Sequence, residues 1–193
     1  MRSTAVKMEE MMGKDVAGDI KTEEDYYALP DDVRAELIDG KIYYMSSPRV
    51  IHQTILRELL VQISTYIKSK NGACRVMPDL DTKLDTANDT IVRPDISVIC
   101  DPDKLTERRC EGAPDWVIEI VSPGNPRHDY LTKLDLYQRT GVREYWIVDP
   151  MKQAVTVYRL DEDAFDMTGY TFSDKIKAGI YDDLEIDFSV IKE

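Results

Sequence analysis

Trp116-Val117-Ile118-Glu119-Ile120-Val121 is an apolar run interrupted by one carboxylate, and Glu144-Tyr145-Trp146-Ile147-Val148 is a second such run further along the chain. Short apolar runs rich in β-branched and aromatic residues are typical of strands buried within a sheet. Residues 127–140, which lie between the two runs, predict a helix that Gly141 ends. We therefore expect two buried strands with a helix between them.

The chain before this stretch carries further signals of regular structure. Asp95-Ile96-Ser97-Val98-Ile99-Cys100 indicates another buried strand. Asp39-Gly40, between β-prone runs within 35–45, indicates a hairpin. Apolar residues recur at three- and four-residue spacing from Ile51 to Ile67 and predict an amphipathic helix.

Weaker patterns complete the expected fold. Thr22, followed by three acidic residues, predicts the start of a short helix that stops before Pro30. Strands are expected at 74–77, 80–84, 153–160, 169–173 and 184–188, with a loop at 85–90. This order of elements predicts an α/β fold with a central mixed β-sheet flanked by α-helices and an N-terminal β-hairpin.

Length and composition are those of one globular domain. The chain has 193 residues, of which 42% are hydrophobic and 32% charged, so we expect a single domain over 21–193 after a flexible arm at 1–20. No apolar run reaches the roughly 20 residues that span a bilayer, and no secretory signal is visible. Cys74, Cys100 and Cys110 lack zinc-site spacing, and we expect reduced thiols in a cytoplasmic protein.

The formal net charge of −12 argues at first sight against a nucleic-acid partner, because phosphate binding is mainly electrostatic. The charge is unevenly distributed, however. Residues 49–75 hold five basic residues against Glu58 alone, whereas residues 161–193 hold ten acidic and three basic residues. The acidity is concentrated at the C-terminal end, which weakens the objection without removing it.

Two carboxylates occupy positions where burial is expected. Asp95 opens one predicted strand and Glu119 interrupts another. Burying a carboxylate is costly unless it is paired, hydrogen-bonded or bound to a metal. Each could make a structural hydrogen bond or ion pair, but together they would suit Mg²⁺, which binds through one or two carboxylates plus phosphate oxygens and water.

Lys133 and Glu36 are further candidates. Lys133 lies four residues after Asp129, a spacing that usually reflects an ordinary solvated pair on a helix. Alternatively, the helix packs over the sheet and directs the ammonium to the metal site, where it would stabilise charge or orient water. Glu36 is either a surface strand residue or a third metal ligand.

Substrate contacts are expected near the locally basic segment. His52 neighbours Arg49 at the start of the predicted helix, and Arg57 follows on the same helix. A lone histidine is more often structural, but contact with phosphate is a second interpretation. Ser122 belongs to the turn that follows the Glu119 strand and could donate a hydrogen bond near the site. His128 is expected to be a surface residue.

The chain resembles the Uma2 family, which is placed among PD-(D/E)XK restriction-endonuclease-like folds. The resemblance runs from about residue 22 to about residue 190 and rests on five ordered motifs. These are Ala35-Glu36-Leu37-Ile38-Asp39-Gly40, Arg93-Pro94-Asp95-Ile96, Glu119-Ile120-Val121-Ser122-Pro123, Asp129-Tyr130-Leu131-Thr132-Lys133 and Gly141-Val142-Arg143-Glu144-Tyr145-Trp146-Ile147-Val148-Asp149-Pro150.

The resemblance implies a site as well as a fold. It implies a restriction-endonuclease-like mixed sheet, with Asp95 and Glu119 as the metal-binding acids and Glu36 near them. In the usual (D/E)-x-K arrangement, a lysine stands two residues after the acid, but here that residue is Val121. The resemblance suggests that Lys133, whose long stem can reach the same point from a helix, replaces it.

We therefore expect a Mg²⁺- or Mn²⁺-dependent endonuclease that acts on nucleic acid, most of all double-stranded DNA, as a possible homodimer. Asp95, Glu119, Lys133 and Glu36 are the expected catalytic residues, with substrate contacts from His52, Arg49, Arg57 and Ser122. The fold alone does not establish cleavage. A non-catalytic nucleic-acid- or protein-binding module that kept the nuclease fold, or an enzyme for a different phosphodiester, are the alternatives.

Overall fold

The structure is a computed structural model that describes residues 20–122, 132–161 and 164–191. Residues 1–19, which include nearly all of the expected arm, lie outside the described residues. So do residues 123–131, and with them most of the predicted turn after Ser122, the first part of the helix predicted at 127–140, His128 and Asp129.

The described elements follow the predicted order closely. The helices are α1 (Glu23–Tyr27), α2 (Val50–Ser69) and α3 (Lys133–Thr140). The strands are β1 (Ala35–Ile38), β2 (Lys41–Tyr44), β3 (Arg75–Pro78), β4 (Thr82–Lys83), β5 (Ile91–Val92), β6 (Ile96–Ile99), β7 (Cys110–Glu111), β8 (Trp116–Ile120), β9 (Glu144–Asp149), β10 (Ala154–Asp161), β11 (Ala164–Thr171), β12 (Lys175–Lys177) and β13 (Glu185–Asp187).

The central sheet is mixed, as expected. Its six strands run in the order β11-β10-β9-β8-β6-β3, with β8 and β9 parallel and the other neighbours antiparallel. The parallel pair is joined through α3. The N-terminal hairpin belongs to a second, five-stranded sheet, β2-β1-β5-β4-β7, and β12 pairs with β13. The sequence patterns indicated one sheet and did not predict this second one. Its strands β5 and β7 are only two residues long and therefore leave no pattern in the sequence.

Local signals in the sequence explain the N-terminal elements. Thr22 caps α1 with a reciprocal capping box, in which its side chain accepts from the Asp25 N–H and the Asp25 carboxylate accepts from the Thr22 N–H. Asp39 and Gly40, the turn between β1 and β2, both have positive φ (48° and 75°). That is the turn that Asp-Gly favours in hairpins, and it fixes the register in which Glu36 pairs with Tyr43.

Helices cover both faces of the central sheet. The apolar stripe of α2 (Ile55, Leu59, Ile63 and Ile67) packs on the face that carries Ile118, Ile120 and Trp146. Leu136 and Tyr137 of α3 pack on the opposite face with Val117, Val121 and Tyr145. Successive strand residues point to opposite faces. Glu119, between Ile118 and Ile120, therefore faces α3.

The cysteines differ from expectation. Antiparallel pairing of β3 with β6 sets Arg75 opposite Ile99, which brings the flanking Cys74 and Cys100 together in a disulfide. The prediction of reduced thiols is therefore wrong for these two, because the strand register that joins residues 26 apart leaves no local signal. Cys110 is a buried free thiol, and burial raises its pKa to about 11. None of the described helices has the length and apolar surface that crossing a bilayer requires.

Candidate active site

A cavity of about 260 Å³ opens where the N-terminal sheet meets the ends of β6 and β8 and the first turn of α3. Its walls combine carboxylates, cations and aromatic rings. The lining residues are Arg34, Glu36, Tyr43, Tyr44, Met45, Ser46, Pro48, His52, Asp95, Glu119, Ile120, Ser122 and Lys133. Residues that are separated by nearly 100 positions in the sequence therefore line one cavity.

Asp95 is held at the start of β6 by two donors. Its Oδ2 accepts a 2.7 Å hydrogen bond from the Ile120 N–H, and its Oδ1 lies 3.1 Å from His52 Nε2. The register of β6 with β8 pairs Ile96 with Ile118, so Asp95 stands beside the β8 end that carries Glu119. Backbone pairing of β6 with β8 thus fixes both carboxylates at the same end of these two neighbouring strands.

Glu119 receives two side chains from α3. Its Oε1 accepts hydrogen bonds of 2.8 Å from Lys133 Nζ and 2.8 Å from the Tyr137 hydroxyl. Lys133 and Tyr137 are four residues apart and therefore share one helical face. Because Glu119 points to the α3 side of the sheet, this helical face packs directly on it.

Glu36 completes the group from the neighbouring sheet. Its Oε1 accepts from Lys133 Nζ at 2.9 Å and from the Arg93 N–H at 2.9 Å. The Asp-Gly hairpin places Glu36 on β1, and β1 packs near the central sheet through its pairing with β5. Lys133 therefore lies between carboxylates from two different sheets.

The charged side chains of Lys133, Glu36 and Glu119 are almost completely buried. Lys133 is 2% exposed, Glu36 3% and Glu119 5%. With Asp95, three carboxylates line the cavity against two permanent cations, Lys133 and Arg34, among the described residues. Burial, reinforced by the negative charges of Glu119 and Glu36, raises the pKa of Tyr137 well above its ordinary value. Excess negative charge in a low-dielectric site favours the binding of a cation.

The donor set fits a hard divalent cation. Asp95 and Glu119 offer carboxylate oxygens within one cavity, and Mg²⁺ characteristically takes one or two protein carboxylates while the rest of its shell is water and phosphate. Among the described residues, no three His, Cys, Asp or Glu side chains form a ready-made metal cage.

Comparison with known proteins agrees with this geometry. Residues 23–186 match the model of Uma2, a family described as "Putative restriction endonuclease". This chain belongs to the Uma2 family. The match spans every element that contributes to the cavity.

Relatives of this Uma2 chain are similar along most of their length. An uncharacterized protein of Synechocystis sp. is 26% identical over 145 residues, which are 74% of this chain and 75% of that protein. The crystal structure of a "putative nuclease belonging to DUF820" from Anabaena variabilis is similar with a TM-score of 0.68 and 25% identity, over 82% of this chain and 89% of that chain. The family description and the fold both support a nuclease.

The Uma2 cavity brings together six of the eight residues singled out from the sequence. Lys133 is buried between Glu36 and Glu119 and is not a solvated surface residue, although its suggested partner Asp129 lies outside the described residues. His52 and Ser122 line the cavity with the acids. Arg49 is an exposed residue at the N-cap of α2. Arg57 is exposed and pairs with Glu58 at 2.6 Å.

Sequence reasoning missed three residues of this Uma2 site. Tyr137 had a usable signal, because it stands one helical turn after Lys133. Arg93 holds Glu36 through its backbone N–H, and Arg34 lines the cavity. Arg93 stands in the motif Arg93-Pro94-Asp95-Ile96 but was given no role, and Arg34 had no such signal, since its position depends on how the two sheets meet.

Proposed function

We propose that this protein is a divalent-metal-dependent endonuclease that hydrolyses phosphodiester bonds of nucleic acid, most of all DNA. The observation that carries the proposal is the convergence of Asp95 and Glu119, from neighbouring strands, with the buried ammonium of Lys133. Two carboxylates and a lysine at one sheet edge suit hydrolysis of a phosphodiester, in which negative charge increases on the phosphate.

The metal would be held by Asp95 and Glu119, with Glu36 assisting directly or through water. When bound, Mg²⁺ or Mn²⁺ would polarise the phosphate and help to generate hydroxide. The three carboxylates that line the cavity support this assignment, because a divalent cation would offset negative charge that is costly to bury.

Lys133 would orient the attacking water and stabilise the charge that develops on the phosphate. Its ammonium is fixed by Glu36 and Glu119 at 2.9 and 2.8 Å, so little reorganisation is needed during the reaction. His52 and Ser122 would contact phosphate from the cavity wall. Arg49 and Arg57 would contact the backbone of a longer substrate outside the cavity.

The test is a cleavage assay with Mn²⁺ on plasmid, linear duplex, single-stranded DNA and RNA. We expect the wild type to cut DNA, and Glu119→Ala and Lys133→Ala to lose activity while circular dichroism shows that they remain folded. Asp135→Ala is the matched control, because Asp135 is an exposed acid of α3 whose nearest charged partner is Arg139 at 3.4 Å.

The outcomes of the cleavage assay distinguish the roles of the acids, of Lys133 and of the substrate. If Glu119→Ala is inactive but Lys133→Ala is not, the acids are catalytic and Lys133 only stabilises the fold. Cleavage of RNA alone would reject DNA as the substrate. If no substrate is cut, a binding module with a nuclease fold becomes the favoured candidate, and titration with Mn²⁺ is the next test. The net charge of −12 is the observation that favours this second candidate.

We also propose a homodimer on duplex DNA, since two copies can cut both strands. Sedimentation analysis with and without a duplex tests this. A monomer that makes double-strand breaks with first-order dependence on protein would reject it.

A further inference from the structure

Arg34 is a cation of the cavity wall to which neither the sequence patterns nor the proposed mechanism gives a role. It immediately precedes β1 and lies two residues before Glu36, and both side chains line the cavity. Its side chain is 31% exposed, so a ligand that enters the cavity can reach the guanidinium without unfolding anything.

Asp79 holds Arg34 in this position. The Asp79 Oδ1 lies 2.6 Å from Arg34 Nη2, and its Oδ2 lies 3.2 Å from Arg93 Nη2. The Asp79 backbone adopts a φ of 47° in the turn after β3, and its N–H donates to the Asp95 carbonyl at 3.3 Å. Asp79 thereby couples the orientation of Arg34 to the strand that carries Asp95.

The charges of the cavity explain why such a cation matters. Glu36, Asp95 and Glu119 line the cavity and repel a polyanion, and the Lys133 ammonium is already bonded to two of these three carboxylates. A guanidinium stays charged at every physiological pH and presents five N–H donors in a planar fork. A phosphate group is the ligand that this fork matches, through two parallel hydrogen bonds.

We propose that Arg34, oriented by Asp79, binds a phosphodiester group of the nucleic-acid backbone at the mouth of the active-site cavity. The identity of the ligand as nucleic acid rests on the proposed function, but the contact itself requires neither metal nor cleavage. Arg34 is thus a substrate-binding residue that presents N–H donors and a positive charge to the phosphate, and Asp79, whose carboxylate is shared with Arg93, is a positioning residue.

The experiment measures binding separately from catalysis. A fluorescein-labelled DNA oligonucleotide, single-stranded or duplex, is titrated with the full chain in EDTA, and Kd is determined by anisotropy at several NaCl concentrations. The variants are Arg34→Ala, Arg34→Lys and, as matched control, Arg75→Ala. Arg75 is an exposed arginine at the opposite end of β3 from Asp79 and does not line the cavity.

We expect Arg34→Ala to weaken binding about tenfold and to reduce the slope of log Kd against log salt by about 0.7 for single strands or 0.9 for duplex. Arg34→Lys should keep the wild-type slope, because it keeps the charge, with a Kd between wild type and Arg34→Ala. This variant also separates loss of contact from loss of fold. Arg75→Ala should bind as wild type does.

Three results would overturn the proposal. The first is that the wild type does not bind the oligonucleotide, and the second is that Arg34→Ala binds with the affinity and salt slope of the wild type. An equal loss of affinity in Arg75→Ala would also overturn it, because that would show only a general charge effect. Failure of the nuclease proposal is distinguishable, since it would appear as Arg34-dependent binding without any cleavage when Mn²⁺ is added.

Discussion

Lys133 and Glu119 form a 2.8 Å ion pair that joins α3 to β8, and both side chains are almost completely removed from solvent. Such a pair is a poor source of net stability, because the cost of desolvating both charges offsets their attraction. It is instead a means of keeping an ammonium at a fixed place beside a carboxylate.

Removing Lys133 should destabilise the protein, because Lys133→Met takes away the ammonium that bonds to the buried carboxylates of Glu36 and Glu119. We expect a loss of about 3–5 kcal/mol in the free energy of unfolding. Urea denaturation at neutral pH measures it. Arg139→Met is the control on the same helix. Arg139 forms partly exposed ion pairs with Asp39 and Asp135, which contribute at most about 1 kcal/mol. Equal losses in the two variants would contradict a special role for burial.

Tyr137 should hold Glu119 in its position. Tyr137→Phe removes one hydrogen bond to Glu119 Oε1 and should cost about 1–2 kcal/mol of stability, with reduced cleavage if the nuclease proposal holds. Tyr158→Phe makes the same chemical change in the same aromatic cluster, where both rings contact Tyr145. We expect it to remain close to wild type. If Tyr158→Phe has the larger effect, general packing of the cluster explains the loss.

Divalent cations should stabilise the folded protein. At an Mn²⁺ concentration 100 times the Kd, binding adds about 2.7 kcal/mol, which a thermal-shift assay detects as a higher Tm. The shift should vanish in Asp95→Ala and persist in Asp135→Ala. A shift that survives in Asp95→Ala would place the bound ion elsewhere.

The Cys74–Cys100 disulfide closes a loop between residues 26 apart. For that loop length, the chain-entropy estimate of its contribution is about 3.5 kcal/mol. A reductant should therefore lower the denaturation midpoint of the wild type but not that of a Cys74→Ser/Cys100→Ser variant. Alkylation in denaturant without reductant should label one thiol, Cys110. Labelling of all three cysteines would show that the bridge does not form in the purified protein.

Glu144 should give stability a particular pH dependence. Burial raises its pKa in the folded state, although hydrogen bonds from Trp146 and the Ile180 N–H oppose the shift. A raised pKa means that the folded state binds more protons than the unfolded state, so this contribution is fully present below the unfolded pKa and is lost as the pH rises through the folded pKa. Glu144→Gln should flatten that part of the curve of unfolding free energy against pH. Glu185→Gln, at an exposed acid, should not.

The predictable parts of this molecule are those with local signals. Asp-Gly predicted the hairpin, the apolar spacing predicted α2, and the carboxylate that interrupts an apolar run singled out Glu119. For Lys133, the spacing left two alternatives, a solvated surface pair or a contact with the site, and the family resemblance favoured the second, because the reach of the side chain depends on which face of α3 packs on the sheet. Its burial beside Glu119 is now explained by strand alternation, which turns Glu119 towards the helix.

The parts that could not be predicted depend on pairing between distant strands. The disulfide follows from the register of β3 with β6, and the second sheet follows from two-residue strands that leave no periodic pattern. The role proposed for Arg34 depends on its ion pair with Asp79. The position of Asp79 is determined by its own turn, where the backbone is left-handed, and not by the sequence around Arg34.

Glu119 and Lys133, the acid and the amine of this site, are carried by different structural elements. Glu119 is part of a strand locked between two neighbours, whereas Lys133 is carried by the crossover that joins the parallel strands β8 and β9. Lengthening that crossover by one residue would change the position of the amine relative to the acid and leave the sheet intact. Insertions and deletions between β8 and Lys133 could therefore silence or restore activity in a lineage while the acids themselves stayed unchanged.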